Sequence, residues 1–354
     1  MEEQTATPQK PGMKSWKTLL KKDPIPWLLE SDKEQPAIRY FTLRDIIGCQ
    51  ENSKEFQEAK KAIMLQGPVA AILDAQNKDG YWMKSGPGYS PKYKSTVWQV
   101  IFLAQLGADG TEPRIQKACD YILKNSIAKH GGFSFNGISS GFVHCLAGNL
   151  GAAMIDLGFS EDPHLRTALQ LQARMITGEG IAEQTHKDAP ERYYAYTSGP
   201  LFLCGPNGGL PCAWGAVKAM LALGKIAPAQ RTNTINEAIN QGMSFLLSHN
   251  PAIADYPFGF GNKPSSSWFK FGYPIGYVTD ILQNLEVLSS LGQINDERVI
   301  PALELLINKQ DESGRWKMEY TLNGKMWADI ERKGYPSKWI TLRALRVLKA
   351  AYPE

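Results

Sequence analysis

Four side chains that can carry chemistry stand in two short stretches of the chain. His144 and Cys145 follow Gly-Phe-Val, and Cys204 and Cys212 enclose Gly-Pro-Asn-Gly-Gly-Leu-Pro. Cysteine thiolates and histidine are the usual ligands of zinc, so these four residues form one candidate metal site. A thiol at a helix start also has a lowered pKa, and it can exchange protons together with a neighbouring histidine or carboxylate. Zinc binding, metal-free acid–base chemistry and simple burial in the core all fit these residues.

Two carboxylates are candidate catalytic partners of these four residues. Asp255 stands in Ile-Ala-Asp-Tyr-Pro, and Asp280 stands in the otherwise apolar run Tyr-Val-Thr-Asp-Ile-Leu. A carboxylate in an apolar helix needs a partner, because burying an unpaired charge costs much free energy. Asp280 is therefore either a catalytic group or the partner of an inner basic residue such as Lys218.

Aromatic residues recur near the starts of the apolar segments. A cavity walled by aromatic rings suits apolar or carbocation-like molecules, since the ring faces attract positive charge. The candidate substrate-binding residues are Arg39, Tyr93, Trp98, Trp214, Tyr273, Tyr277 and Trp339.

The elements that must position these residues alternate between two helix types. Helices that are apolar nearly all round are typical of buried positions, whereas helices with one charged face lie outside. The predicted inner helices are 37–47, 95–106, 144–157, 212–223, 271–291 and 337–352. The predicted outer helices are 54–76, 112–125, 162–175, 229–249 and 295–310.

The connections from outer to inner helices are long, and long loops in compact domains are usually functional. They should lie on one face, where the inner helices begin and their dipoles make the basin mildly electropositive. We therefore expect an all-α protein, an (α/α)6 toroid of six inner and about six outer helices. Residues 24–354 should form this single domain after a flexible tail of residues 1–23.

A short repeat marks two of these junctions. Gln76 to Trp82 and Gln310 to Trp316 both read Gln-x3-Gly-x-Trp. This pattern resembles the QW motif of squalene and hopene cyclases. With the six helix pairs, the chain resembles the terpene cyclase, prenyltransferase and squalene-oxidase repeat superfamily from about residue 23 onward. The resemblance implies an α/α toroid with a central cavity for an isoprenoid-type substrate.

The chain departs from these enzymes at their catalytic motifs. It has neither the Asp-x-Asp-Asp run of triterpene cyclases nor the Asp-Asp-x-x-Asp run of class I terpene synthases, and Leu210 precedes Cys212 where prenyltransferase β-subunits have aspartate. We expect an isomerase, lyase or cyclase that works by proton transfer on an apolar small molecule. A zinc-dependent prenyltransferase-like transferase or hydrolase remains open, as does a non-catalytic binding protein. Both a zinc cofactor and no cofactor fit the residues.

The composition of the chain indicates which partners and which cellular location to expect. The 354 residues include 39 basic and 35 acidic side chains, a net charge of +4 with no long basic run, which argues against nucleic acid as a partner. No apolar run reaches the ~18 residues of a membrane span, and the polar N-terminus lacks a signal sequence, so we expect a cytoplasmic protein. Five cysteines indicate reduced thiols rather than a disulfide framework. No coiled coil or evident dimer face indicates an oligomeric state.

Overall fold

The computed structural model describes residues 15–193 and 198–354. These residues form an all-α protein with two very short antiparallel strand pairs. The α-helices are α1 (Ile25–Leu28), α2 (Ala37–Phe41), α3 (Lys54–Leu65), α4 (Gly67–Asp74), α5 (Thr96–Gln105), α6 (Pro113–Asn125), α7 (His144–Asp156), α8 (Pro163–Thr177), α9 (Ala213–Lys225), α10 (Asn233–Leu247), α11 (Ile281–Ser290), α12 (Ile300–Asn308) and α13 (Lys338–Ala351). The strands are β1 (Leu203–Cys204), β2 (Leu210–Pro211), β3 (Trp316–Lys317) and β4 (Pro336–Ser337).

Six apolar helices pack against one another in the order of the chain. Helix α5 packs on α7, α7 on α9, α9 on α11, α11 on α13, and α13 on α2, which continues as the π-helix Thr42–Ile47. Between α5 and α2, Gly107 lies so close to the Phe41 ring that a Cβ atom would fall 2.9 Å from it. The amphipathic helices pack on their apolar neighbours, as α6 does on α5 and α12 on α11. No helix in the described part of the chain is both long and apolar enough to cross a bilayer.

The predicted helix 271–291 is wrong over its first half, because α11 begins only at Ile281. Pro274 cannot donate a helical hydrogen bond, and the backbone of Gly272 lies against Tyr320 at a place where a Cβ atom would fall 2.7 Å from the Tyr320 carbonyl oxygen. Asp280 is the N-cap, and its Oδ1 accepts a 2.6 Å hydrogen bond from the Gln283 N–H. The carboxylate predicted to be mid-helix therefore starts the helix.

Three outer helices are also shorter than predicted. The segment 229–249 is α-helical only over Asn233–Leu247. The segment 54–76 is divided into α3 and α4, because Gly67 has a left-handed φ of +69° and Pro68 follows in the first turn of α4. The segment 295–310 begins with a 3-10 turn at Glu297–Val299, and only Ile300–Asn308 is α-helical.

The described part of the expected tail is packed against the helices. Trp16 is buried, and its backbone N–H donates to the Tyr352 carbonyl over 3.0 Å. The Lys21 N–H donates to Oε1 of Gln310 over 3.1 Å. Residues 1–14 of the expected tail lie outside the described residues.

The two Gln-x3-Gly-x-Trp segments have the same hydrogen bonds. Trp82 is buried, its Nε1–H donates to the Ile72 carbonyl at the end of α4 over 2.8 Å, and its backbone N–H donates to Thr96 at the start of α5 over 3.1 Å. The second copy repeats both bonds at 2.8 and 3.1 Å, through Trp316, Leu306 and Thr341. Each tryptophan therefore ties the end of an outer helix to the start of the next inner helix.

Candidate active site

A short hairpin brings Cys204 beside Cys212. Strands β1 and β2 pair in register, with Cys204 opposite Leu210, and Gly208 has the left-handed φ of +69° that the connecting turn requires. The Cys212 N–H donates to the Phe202 carbonyl over 2.9 Å and continues the hairpin. Cys204 and Cys212 line the same small cavity, and the interaction between their thiols is the largest influence on the pKa of each.

Of the two thiols, Cys212 is the one whose pKa is lowered. The hydrogen bond from Cys204 lowers the pKa of Cys212 most, and the backbone N–H groups of Trp214 and Gly215 lower it further. These N–H groups belong to the first turn of α9, for which Cys212 is the N-cap, and a helix N-terminus favours an anion. The pKa of Cys204 is correspondingly raised, because its proton is held in the bond to Cys212.

Cys145 in the first turn of α7 is the third thiol of this cluster. Burial raises its pKa to about 11, and the nearby charge of Cys212 acts in the same direction. Helices α7 and α9 approach closely here because Gly148 and Gly215 have no side chains: a Cβ atom would fall 2.2 Å from the Lys218 carbonyl at Gly148 and 3.3 Å from His144 Cβ at Gly215. The structure thus brings three of the four predicted chemical residues together.

Aromatic side chains divide the space around the thiols into two small cavities. Tyr277 borders both, and its ring meets Trp214 edge-on at 5.7 Å, with an interplanar angle of 82°. The first cavity is lined by Tyr89, Trp98, Ile101, Cys145, Leu146, Asn149 and Tyr277. The second is lined by residues that include Cys204, Cys212, Trp214, Tyr256, Trp268 and Tyr277. Burial raises the pKa of Tyr277, so its hydroxyl stays protonated.

His144 does not join the thiols. Its Nε2–H donates to the Gly199 carbonyl over 3.0 Å, and its ring packs edge-on against Phe142 and Phe202. Burial lowers the pKa of His144 to about 4, so the ring is neutral. Consecutive helix residues point about 100° apart, so when Cys145 faces the thiol cluster, His144 faces the loop before β1.

Neither predicted carboxylate contacts the thiols. Asp280 is buried and accepts two hydrogen bonds from Arg343, each of 3.2 Å, as well as the backbone N–H of Gly272. It is therefore half of a buried ion pair with an inner arginine. Asp255 is exposed, and its Oδ1 accepts from the Asn250 N–H in a surface turn.

Three of the predicted substrate-binding residues lie away from the thiol cluster. Tyr273 stacks on Trp339 with ring centroids 4.0 Å apart, and its hydroxyl donates to the Gln105 carbonyl. Arg39 pairs with Glu55 at 2.7 Å near the surface of α2. The sequence pattern does not show which face of a helix each of these residues occupies, so it could not predict that they lie away from the thiols.

Trp98, Trp214 and Tyr277 do line the cavities beside the thiols. Tyr93 packs edge-on against the Trp98 ring, with ring centroids 5.0 Å apart. Tyr89 was not anticipated, although an aromatic residue in the long loop before α5 could have suggested it.

The described residues do not bring a metal-ligand set together. Within 15–193 and 198–354, no group of three or more His, Cys, Asp or Glu side chains is arranged to hold a metal ion. His144 points away from the thiols, which removes the only imidazole of the predicted set. The remaining stretches contain only Glu2 and Glu3 as residues of these types.

A larger cavity opens where the inner helices end, opposite the predicted basin. It measures about 1610 Å³ including its open mouth, compared with about 430 Å³ for the cavity beside Cys204. Its charged side chains pair with one another or with adjacent carboxylates: Lys225 with Asp156 at 2.7 Å, Arg343 with Glu286 at 2.7 Å, and Arg346 with Asp45. Arg343 and Tyr273 in this cavity also have raised pKa values, but they are held by Asp280, Glu286 and the Gln105 carbonyl. We place the candidate site at the thiols, because they are acid–base groups beside an aromatic cavity at the predicted basin.

Comparison with known proteins gives similarity at the level of structure only. No family model matches the chain, and no curated protein matches it. A variant of the type II terpene cyclase MstE from Scytonema, bound to geranylgeranyl dihydroxybenzoate, is similar with a TM-score of 0.44 and 15% identity over 91% of this chain and 88% of that chain. The apo enzyme is similar with a TM-score of 0.44 and 15% identity, over 91% of this chain and 89% of that chain. A protein from Actinoplanes is similar with a TM-score of 0.31 and 16% identity, over 80% of this chain and 97% of that chain. Similarity of this degree carries no conclusion about activity.

Proposed function

We propose that this chain is an enzyme that acts on an apolar, isoprenoid-type small molecule by acid–base proton transfer, as an isomerase, lyase or cyclase. The scaffold is an (α/α)6 toroid, and the reaction takes place at the N-terminal ends of its inner helices. The observation that carries the proposal is the pair Cys204 and Cys212, held at the start of α9 between aromatic walls.

The two thiols have unlike environments, and adjacent groups with separated pKa values can act as base and acid. Cys212, held as a thiolate, accepts a proton from a carbon next to the reacting centre. Cys145 or Cys204, whose pKa values are raised, donates a proton to the other end of the reacting system, a double bond or a leaving hydroxyl. A double-bond shift conserves all atoms, and loss of a hydroxyl releases one water.

The aromatic walls suit such a reaction. Trp98, Trp214 and Tyr277 offer ring faces that stabilise positive charge developing on carbon. The cavities hold little space beyond the side chains, so water is largely excluded and charge interactions inside them are strengthened. A substrate enters by displacing Tyr277, which borders both cavities.

Isotope exchange tests this function. We would incubate the protein in D2O with linear prenyl alcohols and alkenes and follow deuterium uptake, double-bond migration and water loss by mass spectrometry. Cys212→Ala should lower the rate by about 100-fold or more, the size of a general acid–base contribution. Cys49→Ala is the matched control, because the Cys49 thiol lies outside both cavities and is hydrogen-bonded to Ser53.

The outcomes separate the candidate functions. Full activity in Cys212→Ala would refute the proposed chemistry. Tight binding of a prenyl compound with no exchange in any product would instead indicate the non-catalytic binding protein.

A further inference from the structure

The two cavities beside the thiols are small for the substrate that the proposed function requires. They measure about 430 Å³ beside Cys204 and about 210 Å³ beside Cys145, and both values include the narrow gaps between side chains. Sites for small molecules usually offer about 300–1,000 Å³ of usable space. A chain of several isoprene units therefore needs room beyond the thiol cluster.

The large cavity at the ends of the inner helices directly adjoins the cavity beside Cys145. Ile101 of α5 and Asn149 of α7 line both of them. Along α7, Cys145 lines the small cavity, Asn149 lines both, and Ala153 and Asp156 line the large one. Residues three or four positions apart share one helix face, so these side chains form one continuous inner wall. From Cys145 to Asp156 this wall is about 16 Å long, at 1.5 Å per residue.

Small and apolar side chains give the large cavity its space. Alanines of α5 and α7 leave room between the helices, and aliphatic residues from the neighbouring elements complete the apolar surface: Ala104, Ala152, Ala153, Leu221, Ile275 and Val347. The charged side chains of this cavity are held in ion pairs. The surface that remains for a ligand therefore suits an apolar chain.

We propose that the large cavity binds the apolar tail of a long, linear substrate whose reacting end lies beside the thiols. The Asn149 amide is fixed by its 2.9 Å hydrogen bond to the Gly276 carbonyl, so the tail passes when the Ile101 side chain rotates. This inference rests on the proposed function and adds that substrates are selected by chain length. Ala153 then determines specificity, because a larger side chain there shortens the tail that the cavity accepts.

Binding of prenyl alcohols of increasing length tests the tail site. We would measure the affinities of prenol, geraniol and farnesol for the wild type and Ala153→Phe by isothermal titration calorimetry. Ala153→Phe should weaken farnesol binding at least about tenfold, the effect of leaving two or more methylene groups outside an apolar site. It should leave prenol binding unchanged, because prenol is too short to reach the large cavity. Ala71→Phe, at an exposed position of α4, is the matched control.

The outcomes separate the tail site from the proposed function. Equal farnesol affinity in the wild type and folded Ala153→Phe, or no farnesol binding by the wild type, would overturn the inference. If Ala153→Phe does not fold, Ala104→Phe on α5 fills the same cavity and provides the comparison. Binding needs no turnover. The expected affinities without any proton exchange would therefore refute the proposed function and leave the tail site intact, whereas full exchange on farnesol by Ala153→Phe would do the reverse.

Discussion

The backbone of Gly148 in α7 lies directly against the backbone of Lys218 in α9. A Cβ atom on Gly148 would fall 2.2 Å from the Lys218 carbonyl oxygen, closer than any real contact allows. This contact sets the separation of the two helices that carry Cys145 and Cys212. The thiol cluster therefore depends on a glycine one turn away from it.

Gly148→Ala should lower the free energy of unfolding by about 1–3 kcal/mol, the usual cost of forcing extra volume into a packed core. Gly151→Ala in the same helix is the control, because its new methyl group meets chiefly the movable end of the Leu169 side chain at 2.9 Å. Urea unfolding of both variants makes the comparison. Equal stability of the two would contradict the close contact.

Stability should fall in mild acid because of His144. Its pKa is lowered from 6.5 to about 4 in the folded protein, chiefly by burial, so the unfolded chain binds the proton more readily. The contribution of neutral His144 to the free energy of unfolding is about 3 kcal/mol. It is fully present above pH 6.5 and is lost as the pH falls towards 4.

Unfolding of wild type and His144→Gln across this pH range measures that contribution. The variant cannot titrate at this position, so the wild type should lose about 3 kcal/mol more than the variant between pH 6.5 and 4. His164→Gln, at an exposed position, should follow the wild type. Parallel curves for wild type and His144→Gln would show that the ring is not held neutral by burial.

The tryptophans of the repeat should matter for stability. Trp82→Phe removes the Nε1–H bond to the Ile72 carbonyl, and Trp316→Phe removes the equivalent bond to Leu306. Each variant should lose about 1–3 kcal/mol, because a buried carbonyl is left without its donor. Thermal unfolding compares them with Trp214→Phe, whose ring is partly exposed and should matter less. A negligible loss in both repeat variants would argue against their role in joining helices.

Replacement of Asp280 should lower the free energy of unfolding much more than replacement of Asp255. Asp280→Asn removes one of the two carboxylates that pair with buried Arg343, and Glu286 remains, so the variant should lose about 1–3 kcal/mol of unfolding free energy. Asp255→Asn, at the surface, should stay within about 0.5 kcal/mol of wild type. Denaturant unfolding distinguishes them. Similar losses for the two would mean that Asp280 is not a structural ion-pair partner.

Elemental analysis tests whether a metal belongs to the thiols. Untagged, dialysed protein should contain far less than one zinc per chain, because the described residues offer no metal-ligand set. Its thermal midpoint should not change on treatment with EDTA. Stoichiometric zinc that survives dialysis would favour the transferase or hydrolase alternative.

Local signals in the sequence were sufficient for the class of fold and most of its helices. The apolar periodicity predicts α5, α7, α9 and α13 within a few residues, because a helix buried on all sides is apolar on all sides. The start of α11 was missed, since the same apolar character continues through Pro274 to the cap at Asp280. Periodicity does not distinguish a buried helix from a buried extended segment.

The sequence by itself determined which residue types could do chemistry, and only the tertiary structure decided which of them meet. Cys204 and Cys212 converge through a hairpin between two loops, and Cys145 reaches them through the contact of α7 with α9. His144, one residue before Cys145, faces a different side of α7 because the helix turns about 100° per residue. Two side chains that are neighbours in the sequence are therefore separated by the helix geometry, whereas helix packing brings together residues that are far apart in the sequence.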